Sequence, residues 1–254
     1  IVEEMVKKQT NSNLEAFNYY KTKFENTKLL NAEQKKAVDK INVSIKKQKS
    51  DCFLLDGVPG SGKTETYFQT VKACLDEGKQ ILILLPEISL TPDWEKRFYQ
   101  TFSFAPLVWH SGITNTKKKQ IWLSALNGSA GVVVGARSAL MLPISNLGLI
   151  IVDEEHEPAF KQEEGVRYNA RDMAIYKAIR SSAPIVLASA TPSLETFHNM
   201  KIGKYIHLTL PKRATGAALP DIKIIDLKVN TPERGRWISS CLLYTSPSPR
   251  DSDS

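Results

Sequence analysis

Short apolar runs alternate with amphipathic stretches along most of this chain. The runs Cys52 to Asp56, Gln80 to Leu85, Leu107 to His110, Val132 to Val134, Leu147 to Val152, Ile185 to Ala188 and Tyr205 to Leu210 have the length and composition of strands. Ile81-Leu82-Ile83-Leu84-Leu85 and Leu149-Ile150-Ile151-Val152 lack polar alternation, which predicts central strands covered by helices on both sides. The intervening stretches read as helices: Asn31 can cap one that runs through Ala37, Val38 and Ile41, and another fits Glu65 to Glu77. The pattern predicts an α/β fold with a mostly parallel sheet and helices on both faces. In such folds ligands bind at the carboxyl ends of the strands.

Outside this rhythm the character changes. Residues 1–28 are polar and lysine-rich, with Phe17, Tyr19, Tyr20 and Phe24 able to form one helix face, and read as the tail of an upstream region or a linker. The lack of Met at position 1 fits a piece of a longer chain. The core domain is expected at 29–210, and 211–233 as the start of a connection that includes the strand-like Ile222 to Leu227. From 234 the periodicity ends, and the Ser/Pro-rich stretch to 254 reads as disordered, with an artefactual reading also open because it resembles translated sequencing-adaptor read-through.

Composition narrows the class. A chain of 254 residues, 42% hydrophobic, can bury one substantial core. No apolar run approaches the roughly 20 residues that span a bilayer, and the N-terminal residues do not resemble a secretory signal, so no membrane partner and a cytoplasmic location are expected. The formal charge of +7 suits a polyanionic partner through non-specific attraction. Cys52, Cys74 and Cys241 lie far apart with no C-x-x-C pair, which argues against a disulfide framework or a zinc site within the chain.

The chemistry begins at Gly57-Val58-Pro59-Gly60-Ser61-Gly62-Lys63-Thr64, which fits G-x-x-x-x-G-K-[ST] between a strand-like run and a helical one. In such a loop Gly57, Gly60, Ser61 and Gly62 let backbone N–H groups turn toward a phosphate. Lys63 then reaches the outer phosphates and the Thr64 hydroxyl is suited to Mg2+. Pro59 removes one N–H from this cradle. Asp153-Glu154-Glu155-His156 closes the strongest apolar run: Asp153 is expected to hold the metal and Glu154 to orient or deprotonate the attacking water, with His156 coupling the site to a neighbouring loop.

Taken together, the phosphate loop and Asp-Glu-Glu-His resemble superfamily 2 helicases. Several intervening blocks resemble the primosomal protein N′ (PriA) family of replication-restart DNA helicases. They include Leu85-Pro86-Glu87-Ile88-Ser89-Leu90-Thr91-Pro92, His110-Ser111-Gly112, Gly135-Ala136-Arg137-Ser138-Ala139-Leu140, Lys161-Gln162-Glu163-Glu164-Gly165, Arg167-Tyr168 and Ser189-Ala190-Thr191-Pro192-Ser193. The resemblance runs from about residue 30 to 227 and implies the first RecA-like domain of a P-loop motor. By resemblance, Gln34 reads adenine, while Ser189 and Thr191 link hydrolysis to strand movement. Pro86, Glu87, Thr91, Gly135, Arg137 and Ser138 would hold DNA phosphates. Phe160, Lys161, Arg167, Tyr168 and Arg171 would belong to an aromatic-rich loop contacting bases and backbone. Asn169 stands where that family commonly has His.

The resemblance implies that the parent is an ATP- and Mg2+-dependent 3′ to 5′ DNA helicase. It would work on forked or single-stranded DNA at the bacterial nucleoid, with single-stranded-DNA-binding protein and primosome proteins as partners. Zinc is expected only in a part of the parent beyond this chain, together with a second motor domain. Another superfamily 2 DNA translocase and a nucleotide-dependent DNA-binding scaffold are the alternative readings.

Overall fold

The computed structural model describes residues 29–86 and 91–214. Residues 1–28, Glu87 to Leu90 and 215–254 lie outside the described residues, and so do the expectations placed on them, including the aromatic face near the N-terminus and the run Ile222 to Leu227.

In chain order the elements are α1 (Ala32–Lys47), β1 (Cys52–Gly57), α2 (Lys63–Asp76), β2 (Gln80–Leu84), α3 (Pro92–Phe102), β3 (Leu107–Trp109), α4 (Asn115–Leu126), β4 (Val132–Gly135), β5 (Leu147–Asp153), β6 (Lys161–Gln162), β7 (Tyr168–Asn169), α5 (Ala170–Arg180), β8 (Ile185–Ser189), α6 (Leu194–Lys201) and β9 (Ile206–Leu210). Seven strands form one sheet in the order β3-β4-β2-β5-β8-β1-β9, and every pairing in it is parallel. Each of the seven strand-like runs between Cys52 and Leu210 has become a strand of this sheet, within one or two residues at its ends. Among the described residues no helix is long and apolar enough to cross a membrane.

Alternate residues of the continuous apolar strands serve opposite faces, as the period of two requires. Ile81, Ile83, Leu149 and Ile151 pack with Ile41, Phe68, Val71 and Phe98 of the first three helices. Leu82, Leu84, Ile150 and Val152 pack with Ile121, Ala125, Ala174 and Ala178 of α4 and α5. All seven residues of β5 are buried, so it is a central strand with no solvent face.

Because the strands are parallel, their carboxyl ends gather at one edge of the sheet, and the register decides which motifs meet there. Asp56 lies opposite Ser189, and Asp153 opposite Ala188, so β8 holds Ser189 between the phosphate loop and the acidic motif. Leu84 lies opposite Gly135, with Leu85 N–H donating to Gly135 O at 3.0 Å, so the segments after β2 and β4 are neighbours. Gly135 permits this close packing, since a Cβ there would collide with the backbone oxygen of Trp109 on β3.

Among the described residues, the hairpin of β6 and β7 is an element that the sequence pattern did not predict. The stretch from Phe160 to Asp172, expected as a loop, contains this antiparallel pair with Lys161 opposite Asn169 and Gln162 opposite Tyr168.

Candidate active site

The phosphate loop leaves β1 at Gly57 and enters α2 at Lys63 through two left-handed residues, Gly60 at φ 76° and Gly62 at φ 82°. Gly62 is required twice over, because a side chain would strain that φ and would also meet the Gln34 amide. The first N–H groups of α2 have no intrahelical acceptor and open, with the helix dipole, on a cavity of about 880 Å³ lined by Gly60, Gly62, Lys63, Thr64, Asp153 and Glu154 among others. Lys63 Nζ donates to Gly57 O at 2.9 Å, folded back against its own loop. The Ser61 Oγ is buried without a hydrogen-bond partner, an orphan of the kind a bound phosphate would satisfy.

Gln34 is buried beside this loop. Its Oε1 accepts from Asn31 N and its Nε2 donates to Ser61 O, both at 2.9 Å, so its amide joins the N-cap of α1 to the phosphate loop. It lines the cavity, with both sides of the amide engaged by the chain itself.

Asp153 sits at the end of β5 with 9% of its surface exposed. Its Oδ2 accepts from the Tyr67 hydroxyl at 2.8 Å, and its Oδ1 from Glu154 N at 3.0 Å. Burial pushes its carboxyl up to about 6; the neighbouring Glu154 charge adds to the rise, while the Tyr67 bond and Lys63 oppose it. Glu154 turns the chain out of the strand at φ 49° and presents a part-exposed carboxylate to the cavity. His156 also lines the cavity: its Nδ1 is 2.8 Å from Ser189 Oγ and 3.7 Å from Glu154 Oε2. Ser189 Oγ in turn accepts from Thr191 N at 3.0 Å. The three residues expected to couple hydrolysis to movement therefore form one bonded series beside the acidic pair.

The residues fit Mg2+ on their own chemistry. Among the described residues no group of three or more His, Cys, Asp or Glu side chains could cage a metal ion. Magnesium, however, commonly takes one or two carboxylates and completes its shell with water and substrate phosphates, which Asp153 and the Thr64 hydroxyl beside a phosphate cradle would allow.

Glu155, the third acid of the motif, faces away from this cavity. It is 2% exposed and accepts from Ser193 N at 2.8 Å, Thr196 Oγ1 at 2.9 Å, Ser193 Oγ at 3.1 Å and Arg171 Nη1 at 3.2 Å. Arg171 also bonds Asp172 and Ser193; burial would lower its pKa, but the Asp172 and Glu155 carboxylates hold it above the usual value.

Two of the residues expected to touch DNA are therefore corrected. Arg171 is 7% exposed with its guanidinium paired to the buried Glu155 and to Ser193 and Asp172, and Phe160 is 1% exposed in the core beneath α5, an anchor rather than a stacking platform. Lys161 and Arg167 are exposed and Tyr168 is half-buried, all three lining a cavity of about 730 Å³ beside the hairpin. Pro86 is buried after β2, and Thr91 caps α3 by accepting from Trp94 N at 3.3 Å. Ser138 is exposed, and Arg137 donates to Lys161 O at 2.8 Å, tying the β4 segment to the hairpin. Glu87 lies outside the described residues.

The DEAD/DEAH box helicase family model matches residues 31–200, a stretch that contains the phosphate loop, the acidic motif and Ser189 to Thr191. The chain belongs to the DEAD/DEAH box helicase family. Within it, the chain is 46% identical over 214 residues to "Replication restart protein PriA" of Rickettsia conorii and 42% identical over 199 residues to that of Bacillus subtilis. These alignments cover 84% and 78% of this chain but only 32% and 25% of the relatives, so the chain spans about a third of their length or less. Among solved structures it is similar to RecG bound to a three-way DNA junction, with a TM-score of 0.55, 24% identity and coverage of 79% of this chain and 25% of that one. It is also similar to the DUF1998 helicase MrfA bound to DNA and AMPPNP, with a TM-score of 0.52, 15% identity and coverage of 72% and 27%. At those identities the likeness is one of fold, the RecA-like α/β domain.

This DEAD/DEAH box helicase domain also contains site residues that the motifs did not reveal. Arg97 of α3 lines the nucleotide-sized cavity and pairs with Glu65 at 2.7 Å. Tyr67 carries the hydrogen bond that orients Asp153. The sequence offers one cue to Tyr67, its position three residues after Thr64 on the same helix face, but none to its bond with Asp153.

Proposed function

We propose that this chain is the ATP-binding first motor domain of a replication-restart DNA helicase of the PriA type, which hydrolyses ATP to move 3′ to 5′ along DNA. The observation that carries the reading is the convergence of Lys63, Asp153, Glu154 and His156 on one cavity at the end of a parallel sheet, with the orphaned Ser61 hydroxyl in the loop between them. The similarity to PriA relatives supports the assignment to replication restart.

In this mechanism Lys63 exchanges its bond to Gly57 O for the outer phosphates of ATP, and the N-terminal amides of α2 hold the remaining phosphate oxygens. Asp153 and Thr64 would hold Mg2+, which supplies neutralisation of the charge that builds on those oxygens. Glu154 orients the attacking water and accepts its proton at the carboxylate. His156 and Ser189 would sense the state of that carboxylate and pass it to the turn at Thr191. DNA, forked or single-stranded, would lie across the segments after β2 and β4 and along the hairpin, where Lys161 and Arg167 are exposed.

The rest of such a protein would supply the second motor domain with its arginine finger, a cysteine-rich zinc module, and the surfaces for single-stranded-DNA-binding protein and primosome proteins. An arginine finger contributes roughly 10³ to 10⁵ in rate at related sites. The 254-residue chain should accordingly bind nucleotide, lose that binding on Lys63→Ala, and turn ATP over slowly with or without DNA. Fluorescent-nucleotide titration and a phosphate-release assay check this. Equal binding by wild type and Lys63→Ala would overturn the nucleotide site, and DNA-stimulated turnover at rates typical of complete helicases would overturn the half-motor reading.

A further inference from the structure

Tyr67, Trp94 and Asp153 make a hydrogen-bonded series through the interior that the motifs leave unassigned. The three residues come from α2, α3 and β5, and all are buried: Tyr67 is 0% exposed and Trp94 7%. Trp94 Nε1 donates to Tyr67 Oη at 3.2 Å, and Tyr67 Oη donates to Asp153 Oδ2 at 2.8 Å. The direction is fixed by the groups themselves. An indole N–H can only donate, so it occupies an acceptor site of the phenol oxygen and leaves the single phenol proton for the carboxylate.

The far end of the series is anchored in a segment of a different role. Trp94 N–H donates to Thr91 Oγ1, the cap of α3, and Thr91 ends the stretch after β2 that the functional reading places against DNA. The near end is Asp153, which that reading places at the metal. Trp94 stacks on Phe98 of its own helix at 5.5 Å, so a shift of the α3 start carries the indole with it, past Phe68 of α2, which meets its ring edge-on at 5.8 Å.

We propose that Tyr67 and Trp94 are positioning residues that couple the strand-binding segment at Thr91 to the orientation of the Asp153 carboxylate. The inference rests on the functional reading above for what binds at each end. Displacement of the α3 N-terminus by a nucleic-acid strand moves the Trp94 N–H relative to the Tyr67 oxygen, and the phenol then changes its hold on Asp153 Oδ2. By linkage, a strand and a magnesium–nucleotide that share this series alter each other's affinity by one common factor.

The test uses the 254-residue chain with 15N-labelled tryptophan, MgADP or metal-free ADP as the nucleotide probe, and a thymidine 20-mer as the strand. In wild type, the Trp94 indole N–H resonance, assigned by its loss in Trp94→Phe, should shift on adding MgADP but not metal-free ADP. The 20-mer should change MgADP affinity by about fivefold, the lower end of typical coupling. Tyr67→Phe should retain metal-free ADP binding while losing both the Mg2+ enhancement and the effect of the strand. Trp94→Phe, which keeps the Tyr67–Asp153 bond, should retain the Mg2+ enhancement and lose only the effect of the strand.

A structural role alone would lower the melting temperature of both variants and leave these affinities unchanged, which overturns the proposal. So does a Trp94 resonance that ignores MgADP in a chain that binds it. If wild type and Lys63→Ala bind ADP equally, the functional reading falls and the coupling falls with it, a result distinguishable from failure of the coupling alone.

Discussion

At the scale of single residues the decisive contrast is between neighbours of one motif. Asp153, Glu154 and Glu155 are consecutive in sequence yet occupy three environments: a buried carboxyl at the cavity wall, a part-exposed carboxylate, and the centre of a buried ion-pair cluster. Because folding raises the Asp153 pKa from its usual value near 4 to about 6, the native state binds more protons than the unfolded chain between those values. The contribution of Asp153 to stability therefore improves as pH falls through 6. Two units at 1.36 kcal/mol each set its span at about 3 kcal/mol. The stability of wild type minus that of Asp153→Asn, measured by urea denaturation without metal, should rise by that order between pH 8 and pH 4. The affinity for MgADP should move the other way, weakening as pH drops below 6, because the proton competes with the cation for the carboxylate. A flat stability difference across that range would show that Asp153 titrates normally.

At the scale of elements, β6, β7 and the start of α5 are held to the sheet by a few long-range links. Phe160 plugs the base of the hairpin, Arg137 bonds the Lys161 carbonyl, and Arg171 reaches Glu155. Removing one partner of a buried ion pair costs about 3–5 kcal/mol, so Glu155→Ala should destabilise the domain by that order in denaturant titrations. Adding Arg171→Met should recover part of the loss by removing the stranded charge. The exposed cations of the same hairpin behave differently. Lys161→Ala with Arg167→Ala should leave stability within about 0.5 kcal/mol and weaken single-strand binding. The slope of log affinity against log salt should fall by roughly 1.4 for the two lost phosphate contacts.

These links also mark what the sequence could and could not disclose. The phosphate loop, Asp153 and Glu154 were legible because each motif is contiguous and lies at the end of an apolar run. Phe160 and Arg171 were expected as DNA contacts by resemblance alone, and nothing local distinguishes a core aromatic or a paired arginine from a surface one. The partners that decide it, such as Glu155 and Ser193, lie 16 and 22 residues from Arg171. Tyr67 and Trp94 were hidden for the same reason. Each fits the apolar face of its own helix, and the bond between Tyr67 and Asp153 spans 86 residues.

At the scale of the whole molecule, the parallel sheet decides the rest. With all seven strands running one way, every motif emerges at the same edge, and the strand order sets which are neighbours. The sequence foretold the class of sheet and its strands, whereas the order β3-β4-β2-β5-β8-β1-β9 depends on crossovers that local pattern does not encode. One consequence concerns how load enters this domain. The last strand, β9, lies beside β1; Leu210 O accepts from Val58 N at 3.3 Å, and Ala214 N donates to Gly60 O at 2.9 Å. The polypeptide thus leaves the sheet stitched to the phosphate-holding turn itself. Tension applied to the chain after Ala214 would reach that turn before it reached the rest of the sheet, making the grip on nucleotide the point at which a pull is first felt.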